Sequence, residues 1–295
     1  MTTPNTFWTA EYEDNIGTAS QNMGGDIFPF CRKETQSGES EYFQYYGATE
    51  AVESTASYED TPNITQVHNR RRVTTTPHVW STQIDHKDIA RMMTDPTSSL
   101  IRSGIMALNR KFDIAVYTAM LGTATGGKDG TSSYTFGQGL TDTNIVAVNE
   151  GGAGNTNLTV AKLIKAAELM DTLSVPSFGR HIAAHPAQKA ALLGITQVTS
   201  TDYAAVRALV NGEVDTFMGF KFHWTPLITT STYRDVVAWQ EDGVIASTNI
   251  KDGEVFSRID QRPDKNYNLQ LYIRREAGAV RLEEASVVKI LCNEG

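Results

Sequence analysis

"PTSSLIRSGIMALNRKFDIAVYTAMLG" spans residues 96–122 and carries the longest regular hydrophobic pattern of the chain. Ile101, Ile105, Leu108, Phe112, Ala115 and Ala119 advance by four, three, four, three and four, which keeps them on one face of a single α-helix. Pro96 stops the helix running backward, Thr97 or Ser98 can cap it, and Gly122 ends it. At 1.5 Å per residue, 98–121 spans roughly 36 Å. That is too long for a connector and reads as a spine for other elements. Directly before it, "DHKDIARMM" (85–93) reads as a shorter helical lead-in.

On the N-terminal side, "EYFQYYGATEAVE" (41–53) and "QVHNRRRVTTTPHVWSTQID" (66–85) are rich in β-formers and are separated by the turn-like "STASYEDTPN" (54–63). Together they read as a long two-stranded ribbon. An isolated hairpin is at best marginally stable in water, so this one needs a further sheet or another subunit to lie on. Its charges divide: Arg70, Arg71 and Arg72 follow one another on one strand, while Glu50, Glu53, Glu59 and Asp60 occupy the other strand and the tip. Side chains alternate along a strand, so Arg70 and Arg72 share a face and Arg71 takes the other. The acids pair with them either across the ribbon or across a subunit boundary. Exposed pairs contribute only about 0–1 kcal/mol each, so they set register more than stability. Residues 1–36 hold Phe7, Trp8, Tyr12 and Phe28-Pro29-Phe30 around Gly24-Gly25, with little periodicity. Such aromatics cannot form a core alone and read as an arm laid on a neighbouring surface.

On the C-terminal side, residues 123–157 are rich in Gly, Thr and Asn and read as loops around a short strand at 144–148. Neither "GTATGGKDGTSS" nor "NEGGAGNTN" has the spacing of a phosphate-cradling loop. From 158 to 291 helices and strands alternate. "LTVAKLIKAAELMDTL" is amphipathic through Val160, Leu163, Ile164, Ala167 and Met170; "RHIAA" reads as a buried strand; Pro186 begins and Gly194 ends a helix. "STDYAAVRALVNG" (200–212) reads as another helix, and strands are expected at 236–239, 243–248, 255–259, 268–274 and 278–291. In "NLQLYIRR" the alternation puts Leu269, Leu271 and Ile273 on one side. "DTFMGFKF" (215–222) sets Phe217, Phe220 and Phe222 around Gly219, with Lys221 and His223 facing the other way, a pattern that suits core plus turn as well as a pocket lip.

Composition excludes several classes. A chain of 295 residues, 40% of them hydrophobic, can bury a sizeable core, and a net charge of -8 gives no basic footprint for phosphates. Cys31 and Cys292 form neither a disulfide framework nor a zinc motif. No apolar run reaches the roughly 20 residues that span a bilayer, and the N-terminus lacks a secretory pattern. His181 and His185 would converge on a metal only on a helix, yet Pro186 follows at once and no H-E-x-x-H glutamate is present; on a strand they stand roughly 13 Å apart. Asp264-Lys265 and Glu283-Glu284 read as solvated charges. No catalytic, cofactor or metal site is expected.

"RHIAAHPAQKAALLG" (180–194), "VTSTDYAAVRALVNGEVDTFMGFKFHWTP" (198–226), "AWQEDGVIAST" (238–248) and "RIDQRPDKNYNLQLYIRREAGAVRLEEASVVKI" (258–290), in that order, resemble the C-terminal part of tailed-bacteriophage major capsid proteins of the podovirus type. The resemblance implies an α+β fold of the Hong Kong 97 (Johnson) class. It assigns 1–36 to an N-terminal arm, 37–84 to an extended E-loop, 85–134 and 236–295 to a peripheral domain with the spine helix, and 135–235 to an axial domain. It implies a shell subunit rather than an enzyme, assembling with itself as hexamers and pentamers around double-stranded DNA in the host cytoplasm. A separate scaffolding protein, a portal and a cement protein are the further partners, with DNA touched non-specifically and no membrane. Arg70, Arg71, Arg72, Glu53, Glu59, Asp60, Phe7 and Trp8 are then candidates for intersubunit contact. Two rivals stand beside this reading. An encapsulin-like nanocompartment would be marked by a cargo enzyme encoded nearby, and a small-molecule-binding α+β protein by a monomer at high concentration.

Overall fold

A computed structural model of the chain describes residues 21–53, 55, 60–85, 97–140, 144–152, 154–194, 216–229, 232–249 and 255–294. The spine helix α1 runs Thr97–Leu121, and the Gly122 N–H closes its last turn on the Thr118 carbonyl at 2.8 Å. The expected lead-in and the helix 200–212 fall outside the described residues, apart from Asp85. The buried line of α1 is Gly104, Leu108, Phe112, Val116 and Met120; it shares Leu108 and Phe112 with the expected one, whereas Ile105 is exposed. A spacing of four drifts about 40° round the helix at each step. The drift follows the neighbours: Trp80 lies so close over Gly104 that a Cβ there would come within 2.5 Å of the indole. Phe28, His78 and Arg275 then surround Phe112.

The described strands form three sheets. The first is organised on the long strand β14 (Asn268–Arg281). β12 (Val244–Asn249) and β13 (Phe256–Arg262) pair one after the other along one edge of β14, and β4 (Thr76–Ile84) takes the opposite edge. β1 (Arg32–Gln36) adds to β12 in parallel. Leu271 and Ile273 of β14 are buried, as the alternation predicts.

The second sheet has the order β7 (Ile145–Val146), β15 (Val287–Cys292), β11 (Arg234–Gln240), β8 (Arg180–Ala184), β10 (Phe220–Trp224), β9 (Thr216–Phe217). All of β8 is buried because both faces of this sheet are covered. On one side lie α2 (Val160–Thr172) and α3 (Pro186–Gly194), with Leu163, Ala166, Met170 and Leu192 packed on Ile182, Phe220, Val236 and Ile290. On the other lie Val116 and Met120 of α1 with Ile27 and Cys31. β11 and β15 pair within this sheet, so 236–295 is shared between two sheets. In α2 the inward face includes Lys162 while Ile164 is exposed. Lys162 tolerates burial because its ammonium donates to the Thr156 and Leu291 carbonyls at 2.7 and 2.8 Å.

The third sheet joins β2 (Ser40–Tyr46), β3 (His68–Thr74), β5 (Ala124–Gly126) and β6 (Ser132–Tyr134). The Gly/Thr segment expected to be loop therefore builds a small hairpin that widens the ribbon's root. Gly126 permits it, since a Cβ there would fall 2.2 Å from the Arg70 carbonyl oxygen.

Candidate assembly interface

The ribbon forms as the sequence predicts up to Tyr46 and His68, which face each other at its last paired position. Alternation divides its two faces. Phe43, Tyr45, Arg71 and Val73 point inward, where Val73 packs with Ala124, Ile245, Val280 and Leu282. Tyr42, His68, Arg70 and Arg72 take the other face. Arg70 is fixed there by donating from Nε to the Gly127 carbonyl at 2.7 Å, with its guanidinium 4.8 Å from the centre of the Tyr42 ring.

Arg71, another candidate for intersubunit contact, has its guanidinium engaged inside its own chain. It is 3% exposed, lies 3.5 Å from the centre of the Tyr134 ring, and reaches Glu284 Oε1 at 3.3 Å and the Leu282 carbonyl at 3.2 Å. Glu284, expected to be solvated, is 8% exposed. Its other oxygen accepts from Arg281 Nε at 2.8 Å and from the Gly137 N–H at 3.1 Å. Arg281 is wholly buried and donates to the carbonyls of Met120 and Gly122, the last carbonyls around the end of α1. A cation is favoured at a helix C-terminus, where the unpaired carbonyls concentrate negative potential. One carboxylate thus holds together the ribbon root, the end of the spine and the 134–137 loop.

Beyond Tyr46 the ribbon leaves the body. Residues 48–53, 55 and 60–67 are all exposed, including Val52 at 60% and Val67 at 59%. Between 47 and 69 the sequence has four carboxylates and no lysine or arginine. Among the described residues, none of Glu50, Glu53 and Asp60 makes an ion pair with the ribbon's arginines. Glu59, Phe7 and Trp8 lie outside the described residues.

Within the described part of the arm, 21–36, residues 21–28 are fastened to their own spine. Asp113, fully buried in mid-helix, accepts from the backbone N–H groups of Gly25, Asp26, Ile27 and Phe28 at 2.7–3.2 Å. Arg110 adds bonds to Gln21 and to the Asn22 carbonyl. Farther along, Phe30 lies over His181 and His223, its ring centre 5.2 and 4.1 Å from theirs. His181 stands on a strand as expected, and its partner is His223 on the adjacent β10, Nδ1 to Nε2 at 3.0 Å. His185 instead caps the start of α3, accepting from the Ala187 N–H. The question posed by 215–222 resolves as core plus turn. Phe217 and Phe220 pair across Met218-Gly219, both at positive φ, and Phe222 follows Phe220 into the core while Lys221 and His223 face the arm.

Burial first, then the Lys221 ammonium, lowers His181 from 6.5 to about 4. Burial, then His181 and Lys221, lowers His223 to about 3. Both are neutral in the fold, while the unfolded chain takes up protons near 6.5. Stability from the pair is therefore complete above that value and drains as pH falls through it. Between pH 6.5 and 5, thermal unfolding of the subunit should shift down, and the shift should shrink in His223→Gln. Equal slopes in the two proteins would remove the pair as its origin.

No group of His, Cys, Asp and Glu able to hold a metal ion occurs among the described residues, and no described helix is long and apolar enough to cross a membrane. Comparison with known proteins bears on the whole chain. Its structure superposes on a capsid chain of cyanophage P-SCSP1u with a TM-score of 0.70 at 16% identity, covering 97% of this chain and 93% of that one. Capsid chains of Ralstonia phage GP4 (TM-score 0.67, 10% identity, 98% and 96% covered) and cyanophage Pam1 (0.66, 11%, 97% and 96%) are similar in the same way. The arrangement is the Hong Kong 97-like α+β capsid fold. No curated protein sequence matches. The sequence model of the phage capsid protein family matches residues 4–294. A spine helix packed on β14 and β4, a sheet buried on both faces and a ribbon with an exposed tip are thus features of a member, and the chain belongs to the phage capsid protein family.

Proposed function

We propose that this major capsid protein builds its head shell from hexamers and pentamers closed around double-stranded DNA, with the ribbon as the element that joins neighbours. The observation that carries the reading is the tip 48–67: exposed throughout its described part and apolar at Val52, Ile64 and Val67. A monomer gains nothing by holding such a segment in water, whereas obligate interfaces commonly bury over about 2,000 Å² and recruit extensions of this kind. Residues 1–36 act as arm and 37–84 as E-loop. The first sheet with α1 forms the peripheral part, and the second sheet, with β11 and β15 in it, the axial part. The role is structural and not enzymatic. A scaffolding protein, a portal and a cement protein are the expected partners during assembly in the host cytoplasm. The net charge of -8 suits a wall that confines DNA without gripping its phosphates. Expression of the chain alone or with a scaffolding protein, followed by electron microscopy, tests the reading: closed shells support it and dispersed monomers oppose it.

A further inference from the structure

We propose that a cationic concavity at the ribbon's root receives the acidic ribbon tip of a second copy of this chain. The proposal rests on the shell-subunit reading and names the two surfaces that meet. The loop Gly127–Gly130 folds back over the outward face of β3, held by the Arg70 bond to the Gly127 carbonyl and by close approach of Gly130 to Tyr42 and Arg72. It leaves a cavity of about 420 Å³ lined by Gln44, His68, Asn69, Arg70, Lys128 and Tyr134. No described carboxylate lines it, neighbouring Asp129 included. Arg70 is already oriented by Gly127 and Tyr42, so little of its freedom remains to be lost on binding a carboxylate. Beside it, Arg72 Nε is enclosed and donates to no described residue.

The complementary surface is the tip. Glu50, Glu53, Glu59 and Asp60 are its only charges between Gly47 and Val67. No described residue of the same chain's tip lines the cavity: the strands part at Tyr46 and His68, and the Gly47 N–H to Val67 carbonyl bond closes the root. A DNA phosphate has similar chemistry, but it would leave Val52, Ile64 and Val67 uncovered, whereas a protein cleft covers them together with the acids.

The test uses the full chain. Lys128→Glu, Arg70→Glu with Lys128→Glu, and Glu50→Lys with Glu53→Lys should each lower shell yield about tenfold or more, and combining the double reversals should restore it. A Glu53→Cys, Lys128→Cys chain, whose native cysteines are both buried, should on oxidation give a disulfide ladder beyond dimer that neither single variant gives. Normal yield in the half reversals, no recovery in the swap, or a disulfide confined to monomers overturns the proposal. Shells that close normally but lose DNA overturn it in favour of phosphate. A wild type that never closes shells sinks the shell reading; the cross-link then judges the docking separately, and absence of the ladder overturns it.

Discussion

Glu284→Ala should cost the folded subunit about 3–5 kcal/mol, because it strands two arginines that water cannot reach. Arg71 and Arg281 are almost wholly buried, and their other bonds go to carbonyls, which carry no full charge. Removing the carboxylate also unties the Gly137 N–H, so the 134–137 loop loses its anchor together with the ribbon root and the spine end. The control is Glu168→Ala, which breaks an exposed pair with Lys165 on α2 and should cost no more than about 1 kcal/mol. Urea unfolding of dissociated subunits measures both. Equal, small losses would mean that the buried cluster is not what joins the three elements.

Replacing residues 48–66 by Asn-Gly should leave a subunit that folds and unfolds like wild type yet closes no shells. Folding should survive because none of the segment's described residues is buried, and the paired root from Ser40 to Gly47 and Val67 to Thr74 remains. Asn-Gly supplies the positive φ values a two-residue hairpin turn demands. Assembly should fail because the only part of the described ribbon that reaches beyond its own body is gone. Circular dichroism and urea midpoints check the first half of this statement, and sedimentation of particles the second. Normal particles from the deletion would place the joining surface elsewhere.

What could be read in advance follows the reach of local patterning. Strand periodicity in Leu269, Leu271 and Ile273, the apolar run of β8 and the length of α1 depend on neighbours in sequence, and each stands where it was expected. The inward faces of α1 and α2 were read only in part, correctly at Leu108, Phe112, Leu163 and Met170, and the rest was missed for one physical reason. Gly104, Asp113 and Lys162 are buried by a close-packed indole, by four backbone amides and by two carbonyls, partners that an apolar count does not register. The site shows the same limit. Alternation correctly separated Arg71 from Arg70 and Arg72, but its partner Glu284 is 213 residues away and no local signal links them. His181 and His223 are 42 residues apart and meet only because β8 and β10 are adjacent and parallel. Strands β11 and β15 carry patterns that fit either sheet, so their place in the second was not readable.

The most direct test of the account is a cryo-electron microscopy reconstruction of particles formed by the purified chain. The account predicts closed icosahedral shells in which residues 48–66 of each subunit lie across a neighbour, with Val52, Ile64 and Val67 covered. Particles in which the ribbon touches only its own subunit, or a chain that stays monomeric at high concentration, would contradict it.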